Sequence, residues 1–116
     1  IMFKSLHHVP VADMDRALAQ GRRHLKALKT THWTLRLEVA CQTPTVQRAA
    51  EMLGGSPDLW ILSMRMRDGK DCYQVMLGDF ATEAAANQAA TRLPAAFRAP
   101  GNRPRAFRLD QIPDKQ

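Results

Sequence analysis

Six residues of this sequence have side chains suited to metal or nucleophilic chemistry: His7, His8, His24, His32, Cys41 and Cys72. Their spacing supports neither use. His7 and His8 are adjacent, and His24 and His32 have no carboxylate or thiol at ligand spacing. The two cysteines are too few for a disulfide framework and too far apart for a C-x-x-C motif. No Ser/His/Asp or Cys/His arrangement, catalytic carboxylate pair or phosphate loop stands out. The expectation is therefore a protein with no metal, no cofactor and no catalytic activity. The chemistry that remains is recognition. Arg16, Arg22, Arg23, Lys26, Lys29 and Arg36 follow one another with no acid between them, as do Arg98, Arg103, Arg105 and Arg108. With a net charge of +6, these clusters suit a polyanionic partner, either nucleic acid or an anionic envelope surface, unless they are merely solvated faces.

The elements that must carry these residues can be read from periodicity. A chain of 116 residues makes one domain, or one domain plus an appendage. It has no apolar run long enough to span a bilayer and no signal-peptide pattern. Its start at Ile1-Met2 suggests a piece cut from a longer protein. Met14, Leu18, Gly21, Leu25 and Leu28 recur at helical spacing between Val11 and Thr31, with Asp13 or Asp15 to cap the start. Trp33 to Ala40, "WTLRLEVA", alternates as a half-buried strand. Thr43-Pro44 then opens a helix whose face is Val46, Ala49, Ala50 and Leu53, ended by Gly54-Gly55.

A second strand, "LWILSMRMR", meets Asp68-Gly69, a hairpin signal. A two-residue turn there predicts Arg65 opposite Cys72, Ser63 opposite Gln74 and Ile61 opposite Met76. Those six would share one mixed face, and Trp60, Leu62, Met64, Tyr73, Val75 and Leu77 the apolar one. The third strand is expected to stop at Gly78 and turn at once into an alanine-rich helix capped by Thr82, with Phe80 plugging the end of the core. A last strand spans Arg103 to Ile112, with Pro104 marking an edge. Phe107 and Leu109 share a parity that the sequence leaves open between core and ligand face, the core being the safer placement. Cys41 and Cys72 differ in parity, so two free thiols are expected unless a bulge brings them together.

The two strand-helix units resemble one another, "LRLEVACQTPTVQRAAEML" beside "YQVMLGDFATEAAANQAATRL". Two copies are too few to stack as a solenoid. They imply an α+β fold of the βαββαβ, ferredoxin- or RNP-like kind: four antiparallel strands with two helices on one face, plus an extra N-terminal helix. The organisation is residues 1–31 as tail and amphipathic helix, 32–112 as the domain, and 113–116 as a tail. The other sheet face is left open for a linear polymer.

"RDGKDCYQVMLGDFATEAAANQAATRLP" and "HWTLRLEVA" resemble the SPOR (sporulation-related repeat) domain, over Trp33 to about Ile112. The resemblance implies a non-enzymatic module that binds peptidoglycan glycan strands denuded of stem peptides at the division septum. It also implies a periplasmic location within a protein anchored in the inner membrane, with other division proteins as further partners. By position it carries binding roles to Arg36, Cys72 and Gln74. Cys72 replaces an aromatic, and Glu38-Val39 stand where Gly-Ser is common. The planar donors of Arg36, Arg65 and Gln74 suit sugar hydroxyls, acetamido carbonyls and lactyl carboxylates. Ser63 adds a hydroxyl, and Ile61 and Met76 can cover apolar ring faces. An Arg65–Glu38 ion pair is the alternative use of that arginine. The alternative function is an RRM-like module for RNA or single-stranded nucleic acid. "CYQVML" lacks the strand aromatics that would stack bases, so nucleic acid is not the expected partner.

Overall fold

The computed structural model describes residues 14–53, 58–98 and 104–112. The elements are helix α1 (Met14–Ala27), strand β1 (Trp33–Ala40), helix α2 (Thr43–Met52), strands β2 (Leu59–Arg65) and β3 (Asp71–Phe80), helix α3 (Glu83–Ala90) and strand β4 (Arg105–Arg108). Short 3-10 turns cover Ala95–Arg98 and Leu109–Gln111. The strands form one antiparallel sheet in the order β2-β3-β1-β4. This is the expected α+β layout with its N-terminal helix. The features expected at Asp13, Gly54-Gly55, Arg103 and residues 113–116 lie outside the described residues.

The β2–β3 hairpin corrects the expected register. Met66 and Lys70 pair around a three-residue loop, the Met66 amide donating to the Lys70 carbonyl at 2.8 Å and the Gly69 amide to Met66 at 2.9 Å. Gly69 takes φ +85°, the left-handed position that a three-residue hairpin loop requires. The extra loop residue slips the pairing by one, placing Leu62 opposite Gln74, Ile61 opposite Val75 and Trp60 opposite Met76. Because side chains alternate, one step turns all of β2 over. Trp60, Leu62 and Met64 therefore share a face with Cys72, Gln74 and Met76. Ile61, Ser63 and Arg65 go to the face of Tyr73 and Val75, where they had not been expected.

Two bulges re-aim β1 and β3. Leu37 and Glu38 both lie opposite Val75, and Gly78 and Asp79 both lie opposite Thr34. Gly78 has φ +84° and is a bulge position rather than the strand's end, since β3 runs on to Phe80. The Thr34 hydroxyl lies within hydrogen-bond reach of the Leu77 and Gly78 carbonyls at 3.1 and 2.7 Å, pinning the bulge. The first bulge also overturns the expectation of free thiols. It brings Ala40 opposite Tyr73, and one step further Cys41 and Cys72 form a disulfide.

Right-handed crossovers place α2 and α3 on the same side of the sheet. They cover the face carrying Leu35, Leu59, Ile61 and Val75, using Val46, Ala49, Ala50 and Ala86, while Phe97 from the 3-10 turn is also fully buried. Thr82 caps α3 as expected, its hydroxyl accepting from the Ala85 amide at 3.1 Å. For α2 the capping position is Gln42, with no side-chain bond, and Thr43 and Pro44 fall inside the first turn. Strand β4 is shorter than expected: the chain turns after Arg108, whose guanidinium grips Asp110 at 2.8 and 2.9 Å.

Helix α1 packs along β2, which is an edge strand. The pairs Asp58–Gly78 and Met66–Lys70 are hydrogen-bonded. By alternation Ile61 falls in a non-hydrogen-bonded pair, so its carbonyl points off the sheet edge. That carbonyl is what a Cβ on Gly21 would run into. Glycine thus lets the helix lie against the bare strand edge and cover it.

Candidate functional site

The sheet face turned away from α2 and α3 has two unlike halves. Over β2 and β3 it is closed: Trp60, Leu62, Cys72, Gln74 and Met76 each expose 1% of their surface or less. Part of that closure comes from α1, whose His24 ring meets the Trp60 ring edge-on with centroids 4.8 Å apart. Burial holds the His24 imidazole below its ordinary pKa, against the opposite pull of Asp79 and Asp58.

Over β1 and β4 the same face reaches solvent. Arg36 and Phe107 are half-buried and Arg105 is exposed. Strand pairing sets Arg36 opposite Arg105 and Thr34 opposite Phe107, so all four side chains project to one side. The guanidinium carbons of Arg36 and Arg105 lie 4.6 and 4.9 Å from the centroid of the Phe107 ring. Both distances are within cation–π range. Burial is the main cause holding the Arg36 pKa below its ordinary value, and the neighbouring Arg105 charge adds to it. Phe107 thus belongs to this face, which decides the placement the sequence left open. Its alternation with Arg105 was visible in "RAFR", but the two could be placed beside Arg36 only once β4 was paired with β1.

The expected site residues separate into two groups. Arg36, Gln74, Cys72 and Met76 come together on one face. Of these, Arg36 reaches the surface, while Cys72 is spent in the disulfide and Met76 and Gln74 are buried. Gln74 supports Arg36: its Oε1 accepts from Arg36 Nη1 at 3.4 Å, and its Nε2 donates to the Ser63 carbonyl at 3.2 Å. Ile61, Ser63 and Arg65 do not join them. Ile61 is fully buried on the other face. Arg65 pairs in solvent with Asp71 at 3.1 Å instead of with Glu38. Ser63 and Arg65 line a separate cleft of about 310 Å³ beside Asp15 and Leu18 of α1. Burial raises the Glu38 carboxyl above its ordinary value, and nearby Arg48 offsets this in part.

The face can therefore offer one aromatic ring, two guanidiniums and a buried amide that orients one of them. An aromatic ring can lie against the C–H face of a sugar, and forked donors can reach its oxygen substituents. Among the described residues no group of three or more His, Cys, Asp or Glu side chains is arranged to hold a metal ion.

A family model described as the SPOR domain matches residues 42–102, more than half of the chain. No curated protein matches the chain. The matched segment runs from the cap of α2 through the hairpin and α3, and β1 and β4 flank it and complete the sheet. SPOR domains are peptidoglycan-binding modules, and the chain belongs to the SPOR domain family.

Proposed function

We propose that this domain binds the glycan strands of peptidoglycan without catalysis, on the β1–β4 half of the sheet face. The observation that carries the reading is the half-buried Phe107 ring with the guanidiniums of Arg36 and Arg105 both over it. Ring and guanidiniums together form the surface against which a sugar can lie, with the forked donors reaching its substituents. The finer reading is a preference for strands denuded of stem peptides, which would direct a parent protein to the division septum. The Cys41–Cys72 disulfide supports an oxidising location such as the periplasm. A membrane anchor would then lie elsewhere in the parent protein, with other division proteins as further partners.

The same ring and arginines also favour a second reading, RRM-like binding of single-stranded nucleic acid through base stacking. One experiment separates the two. The domain is mixed with purified sacculi, with and without amidase treatment, and is titrated in parallel with single-stranded RNA at several salt concentrations. Retention on sacculi, enhanced by amidase, is the expected result. No retention, together with RNA binding of steep salt dependence, would overturn the glycan reading.

A further inference from the structure

We propose that Arg36 and Arg105 form an anion subsite that reads the free lactyl carboxylate of a muramic acid residue. This rests on the glycan reading above and adds a reason for discrimination. A stem peptide is joined to the lactyl group through an amide, which is neutral. Removing the peptide by hydrolysis leaves a carboxylate, so each muramic acid of a denuded strand carries a negative charge on the lactyl group itself, where the neutral amide stood. A surface that only covers sugar rings does not sense that change, whereas a pair of guanidiniums does.

Both guanidiniums lie against one ring, so their charges are within about 10 Å of each other, roughly one Debye length. Among the described residues neither has a carboxylate partner. Among the described residues Asp110 pairs with Arg108, Asp71 with Arg65 and Asp79 with His32, while the charge acting on Glu38 is that of Arg48. Two like charges, one of them half-buried, repel in the unbound domain; burial first, and the Arg105 charge second, hold the Arg36 pKa below its ordinary value. An anion beside them relieves that repulsion and forms charge-assisted hydrogen bonds with the forked donors. Gln74 orients Arg36 from beneath, fixed in turn by the Ser63 carbonyl. Arg105, exposed at the edge strand, has room to close on a bound group.

The test compares two ligands made from the same material: amidase-treated glycan strands, and those strands with their carboxylates converted to methylamides. Binding of the wild-type domain should fall about tenfold or more on the neutral strands. Arg105→Gln, at an exposed position, should keep the wild-type melting temperature. It should bind the charged strands as weakly as the wild type binds the neutral ones, and show little further loss on amidation. Equal wild-type binding to both strands would overturn the subsite and leave the glycan reading standing. An Arg105→Gln variant as sensitive to amidation as the wild type would also overturn it. Failure to bind either strand would overturn the glycan reading and the subsite together.

Discussion

Arg36 and Phe107 face solvent over a layer of fully buried side chains, so substitutions at the two depths should have opposite signatures. Phe107→Ala removes a half-buried ring that both guanidiniums touch. It should weaken retention on sacculi by roughly tenfold, while lowering stability by only about 1 kcal/mol. Gln74→Ala should do the reverse in order of magnitude. It strips Arg36 and the Ser63 carbonyl of a buried partner, and leaving such groups unsatisfied costs about 1–3 kcal/mol. Paired urea titrations and sacculus pull-downs measure both quantities. A Gln74→Ala domain of unchanged stability would contradict its supporting role. His24 adds a pH signature at the same scale. Its folded pKa is depressed below the ordinary value of 6.5, so protons bind the unfolded chain more readily. Its contribution is complete above pH 6.5 and is lost as the pH falls below that value. The wild-type melting temperature should therefore drop more steeply than that of His24→Gln between pH 7.5 and pH 5.

At the scale of elements, the contact between α1 and the edge of β2 depends on the absent side chain at Gly21. Gly21→Ala should force the helix away from the Ile61 carbonyl, at a cost of about 1–3 kcal/mol. Hydrogen exchange of α1 and of the Ile61 amide, which faces the same edge, should then accelerate. Exchange unchanged from the wild type would mean that the helix does not lie where the structure puts it. This docking was half legible in the sequence. The 3.6-residue period announced the helix, but nothing in it named β2 as the partner. The strands show the same division. Alternation in "WTLRLEVA" and "YQVML" located β1 and most of β3, because burial on one face imposes a period of two. It could not reveal bulges, since Leu37 and Glu38 still read as an apolar-polar step. Asp68-Gly69 marked the hairpin, but the dipeptide serves two- and three-residue loops alike. The resulting one-step slip moved Ile61, Ser63 and Arg65 off the candidate site.

For the whole molecule, the Cys41–Cys72 bridge joins the end of β1 to the start of β3, the two central strands. It closes a segment that contains α2 and β2, with a sequence separation of 31 residues. Constraining a loop of that length in the unfolded chain is worth about 3–4 kcal/mol in the chain-entropy account, a large share of the stability of a domain this size. The bridge also sits one step from Tyr73 and two from Gln74, so it steadies the layer beneath Arg36. Reduction should therefore act on both stability and recognition. The oxidised domain should show no reactive thiol even in denaturant and should unfold at clearly higher urea than the reduced one. Below the unfolding range, reduced protein should still occupy the same fold, because the sheet register is also held by the hairpin loop and both bulges. Its affinity for glycan strands should then fall modestly, as Gln74 and Arg36 lose a fixed floor. If reduction left the urea midpoint unchanged, the bridge would be no part of what holds β1 against β3. The two bulges and the hairpin loop would then maintain that register without it.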